Sequence, residues 1–369
     1  MTLDPVDPTA VGARRRARRT LIAQGVALAA VVAVVLVGIS PAPFVVERPG
    51  PVYDTLGTTL VDDEEVPVIE VDGAASYPTE GRLDLLTVYL DGSRDHPIDW
   101  FSVVVGWLHP DREVWPVDAI FPAGQTQDEA DEASALAMQD SQQTAVAAAL
   151  TELGAPFGAV VEVVDVPDGT PASGVLRAGD ELLAVDGMPL RSDAGLRAAI
   201  ADAGVGATLE VTVRRDGAER TERLVPVARS ADDASPMIGV LVTVRYDFPY
   251  DVEINLPDVG GPSAGMMFAL GIYDTLTPGA LTGGAHIAGT GTVDADGAVG
   301  PIGGIRQKMI GARDAGAEWF LAPVDNCGEV RGHVPGGLRV FAVASVDEAV
   351  DVVAAIGRDA STTEFPGCG

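Results

Sequence analysis

The 20-residue stretch LIAQGVALAAVVAVVLVGIS, at positions 21–40, limits the possible folds of this chain more than any other. From Leu21 to Ile39 it has 19 positions, and Gln24 is the only strongly polar residue among them. At ~1.5 Å of helical rise per residue this run is about 28 Å long, close to the ~30 Å hydrocarbon thickness of a bilayer. The stretch therefore predicts a transmembrane helix over 21–40.

The charge distribution predicts how that helix is oriented. Residues 1–40 carry a net charge of +3 and residues 41–369 carry a net charge of −33, which together give the total of −30. The positive charges lie directly before the apolar run, at Arg14, Arg15, Arg16, Arg18 and Arg19. The positive-inside bias then predicts a single-pass protein of the bacterial cell membrane, with a cytoplasmic N-terminus and an extracytoplasmic remainder. A cleaved signal peptide is the alternative, but its apolar region is typically only ~7–15 residues long. Such an acidic surface repels nucleic acid, which we do not expect as a partner.

A compact module is predicted after a long helix. Residues 131–152 lack Gly and Pro and are rich in helix formers, which indicates a helix, and residues 81–92 indicate a strand. From residue 153 onward the pattern indicates a strand at 157–166 and a helix at 192–203 capped by Ser192. A hairpin around Asp216 and Gly217 follows.

This module resembles the bacterial PDZ domain. The resemblance rests on ASGVLRAGDELLAVDG, residues 172–187, and on the order of the helix and hairpin after it. PDZ domains add an extended peptide to a sheet edge and hold its terminal carboxylate in a backbone nest. By resemblance, Phe157, Gly158 and Ala159 would form that nest. The alternative is a rigid spacer whose groove is occupied.

One lysine stands in a chain that otherwise uses arginine for positive charge. It is Lys308, in GGIRQKMIGA, and the Lys+Arg total is 24. A guanidinium stays protonated, whereas a buried ammonium can lose its proton and act as a base. Chance retention of a surface lysine is the alternative.

Ser263, in GGPSAG before an apolar helical run, is a candidate nucleophile or an ordinary helix N-cap.

Together these segments resemble the proteolytic domain of the Lon (S16) family, whose members use a serine–lysine dyad. The GPSAG serine, the PIGG turn and Lys308 in the helix after it come in the family's order, with 45 residues from Ser263 to Lys308. Thr290, in AGTGT, matches the threonine that orients the lysine, whereas Thr292 stands where the family usually has glutamate. With its PDZ module the chain resembles membrane-anchored PDZ-Lon proteins of Gram-positive bacteria. That resemblance implies protein or peptide substrates, no cofactor and a homo-oligomeric ring.

The predicted chemistry explains why a lysine is required. Its ammonium titrates near ~10.4 in water, so a base at neutral pH needs a pKa lower by about 3 units, which burial in an apolar site can supply. Ser263 would attack the scissile carbonyl, Lys308 would accept its proton and return it to the leaving amine, and Thr290 would hold the amine.

The resemblance also predicts the domain order. Residues 81–90 and 137–150 resemble the first strand and first long helix of the Lon domain, so we expect an α+β fold in which the PDZ domain is inserted into the Lon domain; a linear order is the alternative. The predicted segments are a basic cytoplasmic tail 1–20, the transmembrane helix 21–40, an extracytoplasmic linker 41–72, the first Lon part 73–152, the PDZ domain 153–232, the second Lon part 236–355 and a C-terminal tail 356–369.

The predicted function is that of an ATP-independent endopeptidase whose PDZ domain selects substrates. No Walker A loop is present, because the only lysine is followed by Met309 and not by Ser or Thr. A non-catalytic PDZ scaffold or chaperone and a self-cleaving regulator remain alternatives.

The remaining cysteines and histidines predict a disulfide and no metal site. The two cysteines, Cys327 and Cys368, would pair in an oxidising compartment. Histidine spacing gives no metal motif, and His286 as the base of a Ser-His-Asp triad is a weaker alternative to Lys308.

Overall fold

The computed structural model describes residues 8–61, 63–121, 124, 126–256 and 259–368, with the side chains of 8–21 and 23 left undescribed. The chain forms two compact units, residues 1–48 with 89–130, and residues 49–88 with 131–369. It passes from one unit to the other within two strands and one helix. The predicted tails at 1–20 and 356–369 lie partly outside the described residues.

The helices are α1 (Pro8–Gly38), α2 (Trp100–Leu108), α3 (Val117–Ile120), α4 (Gln127–Glu152), α5 (Asp193–Ala203), α6 (Gly265–Leu276), α7 (Ile305–Asp314), α8 (Cys327–Val330) and α9 (Val346–Gly357), with a 3₁₀ turn at Val324–Asn326. The strands are β1 (Phe44–Asp54), β2 (Thr58–Val61), β3 (Glu64–Pro67), β4 (Ile69–Asp72), β5 (Arg82–Asp91), β6 (Glu113–Pro116), β7 (Gly158–Asp165), β8 (Glu181–Val185), β9 (Met188–Pro189), β10 (Leu209–Arg215), β11 (Ala218–Leu224), β12 (Val227–Ala228), β13 (Pro236–Met237), β14 (Leu241–Asp247), β15 (Asp251–Ile254), β16 (His286–Gly289), β17 (Thr292–Val293), β18 (Val299–Gly300), β19 (Trp319–Pro323) and β20 (Arg339–Val343).

The smaller unit is built around a strand pair and a short aromatic helix. The first residues of β1 pair antiparallel with β6, and the buried Glu47 accepts a hydrogen bond of 3.1 Å from the indole of Trp115. Asp99 caps α2 by accepting from a backbone amide of its first turn. The ring of Phe44 packs edge-on against Trp100 and Trp107 of α2. Aromatic contacts therefore fix this helix on the strand pair.

The prediction of a transmembrane helix over 21–40 is wrong. Within the described part of the chain, no helix combines the length and the apolar character needed to cross a bilayer. The apolar run lies inside α1, which begins as early as Pro8 and so continues through the arginine-rich residues before the run. A span needs ~20 consecutive, mainly apolar residues, and counting apolar letters alone does not show where a helix begins. The single-pass topology and the bacterial cell-membrane localisation, with an extracytoplasmic catalytic part, are corrected with it.

A central sheet with helices on both faces forms the core of the larger unit. Strands β5, β16, β19 and β20 are parallel, and β1 borders β5. Successive residues of each strand point to opposite faces. Ile287 and Leu321 join the apolar cluster that contains α4, α6 and α9, whereas Ala288 and Phe320 join the cluster beneath α7. The sheet thus uses strands that lie before and after residues 153–232 in the chain.

A second sheet, in the order β11-β10-β8-β7-β14, forms the PDZ-like module with α5. Its hairpin turns at Asp216 and Gly217, both with positive φ, as the sequence predicts. The helix α5 begins after Ser192, whose hydroxyl accepts from the amide of Gly195 at 2.9 Å. The core of this module is a third apolar cluster, separate from the two that cover the central sheet.

The strand that carries the predicted carboxylate nest is paired on both sides. β7 pairs with β8 on one edge, and on the other it pairs residue by residue with β14, from Gly158 with Asp247 to Val161 with Val244. A peptide therefore cannot add to the predicted edge next to Phe157, Gly158 and Ala159. The neighbouring carboxylate of Asp247 would also repel a terminal carboxylate.

Candidate active site

The candidate nucleophile lies on the loop between β15 and α6. Ser263 is half-buried, and α6 begins two residues later with Ala264 at its N-cap and no side-chain cap. The Ser263 hydroxyl therefore does not cap the helix, which was the alternative interpretation of the sequence. Gly265 is required here because a Cβ at this position would lie 2.9 Å from the hydroxyl of Ser141.

Lys308 lies on the buried face of α7. This helix starts after Gly304, whose φ of 69° is in the left-handed region, and the amide of Lys308 donates to the carbonyl of Gly304 at 3.0 Å. Only 2% of Lys308 is exposed, and its neighbours Ile305 and Met309 belong to the apolar cluster beneath the sheet. Burial among apolar side chains is the kind of surroundings that the predicted role of Lys308 as a base requires.

The three predicted catalytic residues meet at one point. The Nζ of Lys308 lies 2.7 Å from the Oγ of Ser263 and 3.1 Å from the Oγ1 of Thr290. The hydroxyl of Thr290, itself fully buried, donates to the carbonyl of Ser263 at 2.9 Å. Since this hydroxyl's proton is used in that bond, its oxygen is free to accept from the lysine. The threonine thus connects the base to the backbone of the nucleophile.

The hairpin that follows Thr290 holds the nucleophile loop from a second side. The amide of Gly291 donates to the carbonyl of Ser263 at 2.9 Å, and the amide of Met266 donates to the carbonyl of Gly291 at 3.1 Å. Thr292, where a glutamate was expected from the resemblance, pairs with Gly300 across β17 and β18. A Cβ on Gly300 would lie 2.5 Å from its hydroxyl, so Thr292 packs tightly on β18.

The contact of one residue with this loop was not predicted, although the residue stands at a motif-like position of the Lon resemblance. Ser141 of α4 is 5% exposed and donates to the carbonyl of Pro262 at 3.0 Å, across 121 residues of sequence. It therefore fixes the residue next to the nucleophile. Its place in the first long helix of the Lon-like pattern was the only available signal.

His286 does not take part in this arrangement. Its Nε2 lies 2.5 Å from Asp84, a fully buried carboxylate on β5 that also pairs with Arg82. His286 begins β16 whereas Thr290 follows its last residue, and a four-residue strand is about 13 Å long. A Ser-His-Asp triad built on His286 is therefore excluded by position.

The PDZ-like module contacts the hairpin at its tip. The hydroxyl of Ser192, the N-cap of α5, lies 2.7 Å from the carboxylate of Asp296, and Thr151 of α4 donates to the carbonyl of Ala295 at 2.9 Å. Burial, followed by the charge of nearby Asp296, raises the pKa of Asp294 in the same turn. The N-terminus of α5, α4, Pro262 and the hairpin together line a cavity of about 460 Å³ beside the nucleophile loop.

No group of three or more His, Cys, Asp or Glu side chains that could hold a metal ion occurs among the residues with described positions. The predicted disulfide between the two cysteines is confirmed. Cys327 and Cys368 form a disulfide that ties the C-terminal segment to α8.

Two regions of the chain match the models of known domain families. Residues 247–356 match the model of the Lon protease (S16) C-terminal proteolytic domain. The chain contains a Lon-type serine peptidase domain. Residues 135–224 match the model of the PDZ domain. The Lon-type domain contains Ser263, Thr290 and Lys308, and therefore all three groups that meet in the geometry above.

Two Lon proteases each match less than a third of this chain. Lon protease 2 of Bacillus subtilis (strain 168) is 31% identical over 107 residues, 28% of this chain and 19% of that protein. Lon protease 2 of Herpetosiphon aurantiacus is 36% identical over 110 residues, 28% of this chain and 13% of its own length. The chain thus spans less than a fifth of these relatives. The PDZ domain of an SdrC-like protein from Listeria innocua is 26% identical, with 22% of this chain and 92% of that domain covered and a TM-score of 0.21.

Proposed function

We propose that this chain is a serine endopeptidase in which Ser263 is the nucleophile and Lys308 the general base. The observation that carries the proposal is the 2.7 Å separation of Nζ and Oγ at a lysine that is 98% buried, in a domain of the Lon type. Proteins or peptides are the proposed substrates. The inserted order of the domains and a homo-oligomeric ring remain predictions.

Each group has a defined step in the proposed reaction. The Ser263 hydroxyl gives its proton to the neutral amine of Lys308 while Oγ attacks the scissile carbonyl. Thr290 orients that amine toward Ser263 by accepting a hydrogen bond from it. The protonated lysine then donates to the leaving amine, and a water molecule hydrolyses the acyl-enzyme by the same proton transfers in reverse. Backbone amides at the start of α6 are the proposed donors to the oxyanion.

The purified chain should hydrolyse reduced, carboxymethylated casein without any nucleotide. We expect this because the reaction uses only groups of the peptidase domain, and the sequence contains no Walker A loop. The measurement is release of acid-soluble peptides with and without Mg²⁺ and ATP. Equal rates under both conditions are expected, and a rate that depends on ATP would contradict the proposal. A tightly folded protein of similar size is the control and should remain intact.

We also propose that the PDZ module binds substrate chains at the outer edge of β14. In the described residues β14 pairs only with β7, and α5 packs beside it. The strand follows Ile238 and Gly239, and the φ of Gly239 is 70°. A Cβ on Gly239 would lie 2.3 Å from Thr170, so this turn needs glycine. A peptide that adds to a sheet edge gains main-chain hydrogen bonds and places alternate side chains into the groove.

A charge placed on the groove side of β14 should impair substrate capture selectively. The strand alternates, with Val242 half-buried and Thr243 exposed, so Val242→Asp changes the face that packs on the module and Thr243→Asp the opposite face. We expect Val242→Asp to raise KM for casein roughly tenfold, or ~1.4 kcal/mol, and to leave hydrolysis of a blocked short peptide unchanged. Thr243→Asp is the matched control and should alter neither. Equal losses on both substrates would show that the module does not select substrates, and circular dichroism checks that the variant is folded.

A further inference from the structure

The turn that precedes the catalytic helix is held by one buried amide side chain. Asn326 is 2% exposed; its Oδ1 accepts from the amide of Ile302 and its Nδ2 donates to the carbonyl of Ile302, each at 2.9 Å. Both backbone groups of a single residue are thus bound by a single side chain. The side-chain amide supplies the acceptor through Oδ1 and the donor through Nδ2.

The position of that turn decides where Lys308 lies. Ile302 is followed by Gly303 and Gly304, and glycines restrict the backbone least of all residues. The first helical turn of α7 starts directly after them and ends at Lys308. A turn that contains two glycines does not by itself fix the start of a helix. Asn326 supplies the restraint, since it fixes the residue immediately before them.

The disulfide holds Asn326 from the other side. Cys327 is the next residue and begins α8, and its bond to Cys368 connects α8 to the C-terminal segment. That segment is fastened to β20, because the amide of Ala342 donates to the carbonyl of Pro366 at 2.9 Å and Phe365 packs edge-on against Phe341. The two cysteines also lie in the apolar cluster that includes the buried face of α7. The disulfide therefore ties the Asn326 segment to the sheet.

We propose that Asn326 is a positioning residue for Lys308, and that the Cys327–Cys368 disulfide sets the rate of hydrolysis by holding Asn326 in place. The inference rests on the proposed function of Ser263 and Lys308. When a dithiol reductant supplies two electrons and two protons, the S–S bond breaks, Cys327 and Cys368 become thiols, and the reductant becomes a disulfide. The covalent tie to the C-terminal segment on β20 is then lost, and Asn326 is held only by its connection to β19, which ends at Pro323, and by the packing of α8.

Kinetics on casein with dithiothreitol as the reductant test this directly. Reduction of the wild-type chain should lower kcat about tenfold and leave KM unchanged, because misplacing a catalytic group by ~1 Å costs up to ~10²-fold in rate while substrate binding is not affected. Reoxidation should restore kcat. Cys368→Ser should show the low kcat without reductant and should not respond to it.

A substitution at Asn326 separates this route from general destabilisation. Asn326→Ala should lower kcat about tenfold or more, and reduction should then cause little further loss, because the disulfide acts through the missing side chain. If Asn326→Ala does not fold, Asn326→Asp, which keeps the acceptor for the amide of Ile302, takes its place with the same expectation. All rates are measured well below the unfolding temperature of the reduced chain.

Three outcomes would overturn the proposal. Reduced wild-type chain that keeps its kcat shows that the disulfide only stabilises the fold. A full tenfold loss on reduction of the Asn326 variant shows that the disulfide acts by another route. A rise in KM in place of a fall in kcat assigns the disulfide to substrate binding. Failure of the proposed function is distinct from all three, because oxidised wild type would then cleave casein no faster than Ser263→Ala.

Discussion

Lys308→Arg should abolish hydrolysis of casein and of short peptides. The guanidinium remains protonated, so it cannot accept the proton of Ser263. Because this position is 2% exposed, the buried charge should also lower the free energy of unfolding. Since general base catalysis contributes ~10²–10⁴-fold, we expect kcat to fall by about 10³-fold or more, or ~4 kcal/mol. Ser263→Ala should fall at least as far, and the two substitutions together no further, because both groups act in one step.

The matched control for Lys308→Arg lies on the same helix. Arg313 is exposed in the last turn of α7 and donates to the carbonyl of Gly336 at 2.7 Å. Arg313→Lys makes the reverse exchange and keeps both the charge and a donor, so activity should be unchanged. Circular dichroism and thermal unfolding of all variants check folding. Substantial hydrolysis by Lys308→Arg would refute the role of the lysine as base, because Ser263 would then need another proton acceptor.

The residues of the candidate site could be predicted because they carry local signals. Ser263 stands in GPSAG, and Lys308 is the only lysine of the chain and follows the PIGG turn. The sequence does not show that these elements meet, since 45 residues separate them. Their approach depends on the parallel pairing of β5, β16 and β19, which places Thr290 at the carboxyl end of β16. Parallel pairing is long-range, and a resemblance to a known domain supplied it here.

The pairing of β7 on both of its edges could not be read from local pattern. Residue 158 pairs with residue 247, so the two paired residues lie 89 positions apart in the sequence. β14 follows the predicted end of the module at residue 232 and has the same alternation as any half-buried strand. Period-2 alternation predicts a strand but not its neighbour. Local pattern therefore could not show that β14 occupies the edge of β7 at which peptide binding was predicted.

The transmembrane prediction failed for a related reason. The prediction counted the apolar residues between Leu21 and Ile39. This count contains no information on where the helix begins, and α1 begins at Pro8. The contact between Ser141 and Pro262 could not be predicted either, because a sequence pattern that predicts a helix does not show which distant residue a polar side chain on it contacts. Element types are thus easier to predict than the contacts of one side chain.

Asp180→Ala should destabilise the PDZ-like module by about 3 kcal/mol, because it removes the main partner of the buried Arg215 guanidinium. That guanidinium then keeps only Glu222 at 3.5 Å and the carbonyl of Val175. Asp180 and Arg215 are 1% and 8% exposed and form two hydrogen bonds, at 2.6 and 2.7 Å. The exposed pair of Glu210 and Arg223 on the same sheet is the matched control, and Arg223→Ala should cost no more than about 1 kcal/mol. Amide exchange of β8 and β10 in the full chain measures both values.

The same ion pair predicts how acid affects the module. Burial opposes ionisation of Asp180, but hydrogen bonds from Arg215 and from the amide of Arg177 outweigh it, so its pKa is lower than in an unfolded chain. A lowered pKa stabilises the folded state at every pH above the unfolded value of ~3.9, and this contribution is lost as the pH falls through the folded pKa. Between pH 7 and that range the difference in unfolding free energy between wild type and Asp180→Ala should be constant, and below it the difference should shrink. A difference that stays constant down to the acid unfolding of the module would show that the charge of Asp180 contributes nothing.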